Sequence, residues 1–172
     1  HLPPAWRRNF TSVDRIWAPS RYCADLFAAQ GAAPVDVVPH VVPVPEPAPL
    51  DRSAALGRLN LPADRRVILY IFDGSSYLVR KNPAALVRAF SASGLGARGW
   101  TLVLKTKHLH DRAEEAAAFE QLVAATPETL LLDRAMPTGE MADLVALADI
   151  YASPHCSEGF GLTIAQAMAS GK

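Results

Sequence analysis

Six apolar residues in a row run from Val67 to Phe72, with no polar alternation. That texture marks a strand buried on both faces. It recurs at Trp100 to Lys105, Thr129 to Leu132 and Ile150 to Ser153. Between these runs the apolar residues fall at helical spacing: Leu86, Val87 and Phe90, then Ala116, Phe119, Leu122 and Val123, then Met141, Leu144, Val145 and Ala148. A last helix is predicted over Leu162 to Ala169, closing at Gly171. Start signals agree: Asn82 as cap with Pro83 in the first helical position, capping-box spacing at Asp111 and Glu114, and Thr138 as a hydroxyl cap. Four strand–helix units in succession imply right-handed crossovers and a doubly wound α/β domain, a parallel sheet with helices on both faces. Such sheets hold ligands outside the carboxyl ends of their strands. Functional residues are therefore expected in the loops after Phe72, Lys105, Leu132 and Ser153.

The N-terminal pattern is shorter. Val13 to Ala18 predicts a strand, and Ser20 caps a helix on which Tyr22 and Leu26 share a face, as do Cys23 and Phe27. Gly31 ends that helix, and Val35 to Val38 is a second strand. Six prolines between Pro34 and Pro49 then forbid helix and predict an extended connector. The expected division is 1–42, the end of a first domain; 43–61, the connector with a short helix at Arg52 to Leu59; and 62–172, the α/β domain.

Composition narrows the class. With 17 basic and 17 acidic side chains in 172 residues, the chain lacks the cationic excess of a nucleic-acid coat or a polybasic membrane binder. Half of its residues are apolar, which excludes general disorder. Its longest apolar run is far short of the ~20 residues that span a bilayer. His1-Leu2-Pro3-Pro4 is neither an initiator Met nor a signal peptide, so an internal piece of a longer cytoplasmic protein is expected. Cys23 and Cys156 lie far apart and read as reduced thiols, and no Cys/His spacing predicts a metal site.

Two loops carry candidate chemistry. The first, Asp73 to Pro83, has neither GxGxxG nor a Walker pattern, but sets Arg80 and Lys81 beside a helix start. Two cations near free amides suit a diphosphate; a solvated charge pair is the alternative. The second, Pro154 to Thr163, brings Glu158 and then Gly159-Phe160-Gly161-Leu162 to another helix start. Glycines admit close backbone approach, and a carboxylate accepts hydrogen bonds from hydroxyls, so phosphate and sugar could both be served. A glycine-rich turn with a capping acid is the alternative there.

These segments resemble a known family. Ile16-Trp17-Ala18-Pro19-Ser20, Val37 to Val41, Arg80-Lys81-Asn82-Pro83, Leu102 to Lys105 and above all Asp149 to Leu162 with Ala167 to Lys172 are similar to retaining glycosyltransferases of the GT-B fold, the nucleotide-sugar-dependent class called family 4. The resemblance implies a Rossmann-like C-terminal domain, incomplete here and preceded by the tail of a first Rossmann-like domain. It implies transfer of a sugar from a nucleoside-diphosphate sugar to a saccharide or lipid-linked acceptor, with retention and without metal or other cofactor. Residue by residue, it implies that Lys81, with Arg80, grips the donor diphosphate. Glu158 approaches the transferred sugar, and the amides of Gly159, Phe160, Gly161 and Leu162 contact sugar and phosphate. Gln166 stands where the family's second glutamate holds the ribose, and Ser75 where several relatives carry an arginine. By itself the chain is expected to bind donor without turning it over, and any membrane association would come from regions outside it.

Other residues carry weaker signals. Lys105 ends a strand on the ligand side and is a candidate donor-site residue. His155 lies in the Glu158 loop, as a loop-shaping hydrogen bonder or an acid–base group. His40 is expected to be structural, and His108 and His110 to be solvated. Trp6, Trp17 and Trp100 are expected in packing. Two functional alternatives stay open: a nucleotide-sugar-binding module without catalysis, and a flavodoxin-like signalling domain, the latter lacking an acidic cluster after its first strand.

Overall fold

The structure, a computed structural model, describes residues 9–10, 12–31, 33–43 and 49–172. Trp6 and residues 44–48 of the proline-rich run lie outside the described residues. The chain divides into two compact units, one through Val42 with Glu158–Leu162, the other Pro43–Ser157 with Thr163–Lys172.

In the first unit, β1 (Ile16–Ala18) pairs in parallel with β2 (Val35–Val37), joined by α1 (Arg21–Ala28). Ser20 caps α1 as expected, its Oγ accepting from Cys23 N at 3.3 Å. Gly31 takes the left-handed conformation at φ 67° and turns the chain out of the helix. Ala18 is fully buried, whereas Trp17, expected in packing, is 73% exposed. Strand alternation is the reason: neighbouring residues point to opposite faces.

The second unit holds α2 (Arg52–Arg58), β3 (Arg66–Ile71), α3 (Leu78–Lys81), α4 (Pro83–Ser93), β4 (Trp100–Thr106), α5 (Ala113–Ala124), β5 (Thr129–Asp133), α6 (Thr138–Leu147), β6 (Ile150–Tyr151) and most of α7 (Leu162–Ala169). The sheet is parallel with strand order β5-β4-β3-β6. Its two faces are sorted by strand alternation. Ile68, Tyr70, Phe72, Leu102 and Leu104 pack with Val87 and Phe90 of α4 and Phe119 and Val123 of α5. Val67, Leu69 and Val103 pack with Ala55 and Leu56 of α2 and Leu144 and Leu147 of α6. The short helix that the sequence assigned to the connector is thus part of this unit's core. Arg52 secures it, donating to Leu147 O at 2.7 Å, Arg65 O at 2.9 Å and Asp149 Oδ2 at 2.7 Å. Asp149 Oδ2 also accepts from Val67 N at 2.7 Å, tying β6 to the start of β3.

Three predicted helix caps are corrected. Asn82 makes no side-chain cap to α4; its backbone is left-handed, φ 54°, and its amide donates instead to Pro154 O at 3.3 Å. Asp111 falls in a 3-10 turn, Leu109–Arg112, so Arg112 occupies the cap position of α5 and no capping box forms. Thr138 is already helical, with Pro137 in the cap position. Asn82 keeps the cap position without the capping bond, whereas at Asp111 and Thr138 the local pattern gave way by one residue to the turn that tertiary packing imposed. The fourth strand is also shorter than expected. β6 pairs only Ile150 and Tyr151 with β3, and Ala152 N adds one bond to Leu69 O before the chain leaves the sheet.

Candidate functional site

The order of strands reverses between β3 and β6: successive units run outward through β4 and β5, and the chain then returns to the other side of β3. The carboxyl ends of β3 and β6 therefore flank the crevice in which sheets of this type place ligands. The loop after β3 and the loop after β6 both arrive there.

The first loop begins with Gly74, packed so closely that a Cβ would stand 2.6 Å from Leu109 Cα and 2.7 Å from Leu109 N. Asp73 precedes it and accepts from Ser75 N at 3.0 Å and Ser75 Oγ at 2.8 Å. Burial would raise the Asp73 pKa, but these bonds, with Lys107 and His108 nearby, hold it below the usual carboxylate value. The single turn α3 follows, anchored by buried Leu78, whose N donates to Glu115 Oε2 at 3.3 Å. Asn82 ends the turn with its N on Leu78 O at 2.6 Å, and its tolerance of the left-handed region lets α4 start at Pro83.

That turn presents Arg80 and Lys81 to the second loop. Arg80 is tied down here: its carbonyl accepts from Cys156 N at 2.9 Å, Nη1 donates to Ser157 O at 2.9 Å, and Nη2 donates to Ser76 Oγ at 2.6 Å. Lys81 is buried, 9% exposed. Its carbonyl accepts from the Tyr70 hydroxyl at 2.6 Å, and its Nζ lies 3.5 Å from His155 Nε2. The Tyr70 oxygen is 3.3 Å from the same Nε2, the two rings meeting edge to face at 5.3 Å. On the other side of the imidazole, Nδ1 is 2.5 Å from Ser153 Oγ. The structure thus brings Arg80, Lys81 and His155 together, joined by Tyr70 and Ser153. Tyr70 escaped the sequence reading because it sits inside a fully apolar strand. The available signal was its hydroxyl, which needs a partner when its residue is fully buried.

Lys105 stands apart from that cluster. It lies in β4 beside Ile71, is 2% exposed, and donates from Nζ to Thr106 O and Arg134 O, each at 2.5 Å. Burial pushes its pKa down, and the charge of Arg134 adds to the effect. Gln166 is exposed on α7. His108 and His110 are exposed as expected, within 3.9 Å of Asp73 and 3.2 Å of Glu120 respectively.

The Glu158–Leu162 segment belongs to the first unit. There the Gly159 carbonyl accepts from Ser20 Oγ at 2.7 Å and Cys23 Sγ at 3.4 Å, so the cap of α1 also fixes the glycine loop. Phe160 meets the His40 ring edge to face at 5.3 Å. Gly161 is buried with φ 81°, a conformation that favours glycine, and Glu158 is half-buried. Among the described residues no group of three or more His, Cys, Asp or Glu side chains could hold a metal ion, and no helix is long and apolar enough to cross a membrane.

No family model matches the chain, and no curated protein matches it by sequence. Solved structures do match. HepE of Anabaena, in complex with UDP-glucose, superposes with a TM-score of 0.76 at 18% identity, over 96% of this chain and 47% of that one. Sucrose-phosphate synthase from Thermosynechococcus elongatus gives 0.75 at 21% identity, over 96% and 41%. WaaG, a glycosyltransferase involved in lipopolysaccharide biosynthesis, gives 0.66 at 17% identity, over 90% and 42%. The chain therefore has the GT-B type of α/β fold that these glycosyltransferases share, and spans about half the length of each.

Proposed function

We propose that the protein carrying this chain is a retaining glycosyltransferase of the hexosyl type, using a nucleoside-diphosphate-sugar donor and a saccharide or lipid-linked acceptor. The observation that carries this reading is the setting of Lys81. A buried lysine brings its ammonium to the carboxyl end of the sheet at the strand-order reversal, on a fold shared with a protein solved with UDP-glucose. Such a site suits a diphosphate, and the leaving group of this transfer is a nucleoside diphosphate.

In this reading Lys81 and Arg80 neutralise the diphosphate as the glycosidic bond to it breaks. Charge-assisted contacts there stabilise the departing anion, so no metal is assigned to the task. Glu158 accepts hydrogen bonds from hydroxyls of the transferred sugar. The amides of Gly159 to Leu162 contact sugar and phosphate, and Gln166 takes the ribose diol. Lys105, at a strand end on the ligand side, is assigned to the donor site, with its Nζ on Arg134 O of the loop after β5. Residues 1–42 would belong to the acceptor-side domain, 43–61 to the connection and 62–172 to the donor domain. The reaction would serve carbohydrate biosynthesis in the cytoplasm, and the chain alone would bind donor without turnover.

Thermal-shift screening of UDP-, GDP- and ADP-sugars against the full-length protein tests the donor. Nuclear magnetic resonance of the glycoside product tests retention. No stabilisation by any nucleotide sugar, or an inverted product, would overturn the assignment.

A further inference from the structure

Successive residues of the glycine loop are held by segments of the first unit. The Gly159 carbonyl accepts from Ser20 Oγ at 2.7 Å and from Cys23 Sγ at 3.4 Å. The Phe160 ring meets His40 edge to face at 5.3 Å. Gly161 is buried at φ 81°, a conformation that L side chains rarely adopt. The first of these restraints sets the direction of a peptide. No cis peptide bond occurs among the described residues, so the bond from Gly159 to Phe160 is trans. In a trans peptide the C=O and the N–H point opposite ways. With its carbonyl drawn onto the start of α1, this peptide directs the Phe160 N–H away from α1, at a point where Gly159 is exposed.

Steric crowding does not impose that orientation. Within 4 Å a Cβ at 159 would meet only Cys23 Sγ, at 3.7 Å, an ordinary contact, and glycine lets the peptide turn at little cost. The hydrogen bonds therefore decide it. Ser20 supplies the stronger one, because a thiol is a weak donor. Its hydroxyl performs two tasks at once. It caps α1 by accepting from Cys23 N at 3.3 Å, while its hydrogen goes to Gly159 O.

We propose that Ser20 is a positioning residue for donor binding: it fixes the Gly159–Phe160 peptide so that the Phe160 N–H is preset to donate to the sugar-bearing end of a nucleoside-diphosphate sugar. A group held in its binding orientation beforehand has little freedom left to lose when the ligand arrives. A residue of the segment assigned to the acceptor side thereby sets affinity for the donor. The inference rests on the donor-site reading of the glycine loop.

The test separates the two tasks of Ser20. Ser20→Gly removes the hydroxyl donor, yet glycine caps a helix nearly as well. Ser20→Thr keeps both functions. Calorimetry of the full-length protein uses UDP-glucose and UMP, or the matching GDP-glucose and GMP or ADP-glucose and AMP where the donor screen selects another base. Ser20→Gly is expected to bind the nucleotide sugar about five- to tenfold more weakly, as befits one hydrogen bond, with monophosphate binding unchanged within about twofold. Its unfolding midpoint is expected to stay close to that of the wild type, and Ser20→Thr is expected to bind both ligands as the wild type does. Unchanged affinity for the nucleotide sugar in Ser20→Gly, or an equal loss for nucleotide sugar and monophosphate, overturns the proposal and leaves the donor site standing. A second measurement needs no variant at position 20. In wild-type protein carrying isotope-labelled phenylalanine, hydrogen exchange at the Phe160 N–H is expected to slow when the nucleotide sugar is bound, and a rate unchanged at saturation overturns the proposal even if Ser20→Gly folds poorly. Absence of binding by UDP-, GDP- and ADP-glucose alike removes the donor-site reading and this inference with it.

Discussion

Lys81 and His155 meet side chain to side chain, Nζ 3.5 Å from Nε2, although 74 positions separate them in sequence. The β3–β6 pairing makes this possible. Tyr70 follows the paired Ile68 and Leu69 and its hydroxyl holds the Lys81 carbonyl, while the loop leaving β6 carries His155 onto the same ring. The contact gives direct expectations for Tyr70 and Lys81.

Tyr70→Phe removes the bond to the Lys81 carbonyl and leaves that acceptor with one partner fewer. A loss of about 1–1.5 kcal/mol is expected in urea denaturation, with the ring packing on Phe72 preserved. Unchanged stability would mean that another donor reaches the carbonyl.

Lys81→Ala should weaken nucleoside-diphosphate binding by about 1.5–3 kcal/mol, roughly 10- to 150-fold, as expected for one charge-assisted contact. Calorimetry with UDP, GDP and ADP reads it. Equal affinity in wild type and variant would leave Lys81 with a structural role only.

Gly74→Ala should destabilise the fold. The added methyl would meet Leu109 Cα at 2.6 Å, Leu109 N at 2.7 Å and Lys107 O at 2.9 Å, all backbone atoms that cannot rotate away. Overpacking of this kind costs about 1–3 kcal/mol, measurable as a lower midpoint of thermal or urea unfolding.

Asp73 supplies a pH dependence. Its folded-state pKa is depressed, so its contribution to stability is complete above the unfolded value of about 3.9 and is lost as pH falls through the lower folded value. Asp73→Asn should therefore be less stable than wild type at pH 6. The difference should shrink steadily as denaturation is followed below about pH 4. A gap independent of pH would show that the carboxylate charge is immaterial.

Gln166→Glu addresses the position at which the sequence leaves its family resemblance. A carboxylate accepts stronger hydrogen bonds from a diol than an amide oxygen does, so tighter nucleotide binding by about 1 kcal/mol is expected with the fold intact. The position is exposed on α7, which limits any structural cost. Weaker binding would mean that the site is built around the amide.

The sequence by itself determined the α/β architecture, because it is written in short-range terms. Runs such as Val67 to Phe72 can only be strands buried on both faces, and the helical stripes between them leave few ways to cover those faces. It also singled out Arg80, Lys81 and the Glu158 loop as candidates, through residue types whose chemistry is legible one position at a time. Tertiary structure alone decided the rest. Whether Asn82 would cap α4 or bond to Pro154 depended on where the β6 loop passes. Lys105 reads as a candidate donor-site cation at a strand end, and only the path of the loop after β5 brings Arg134 O over it and buries its charge. The hydroxyl of Tyr70 signals that a partner is needed, but which one is settled only when Lys81 and His155 arrive from other segments to engage it. The physical reason is common to all three. Burial and periodicity are properties of a residue and its near neighbours, whereas the partner of a polar group is set by the chain path of a different segment.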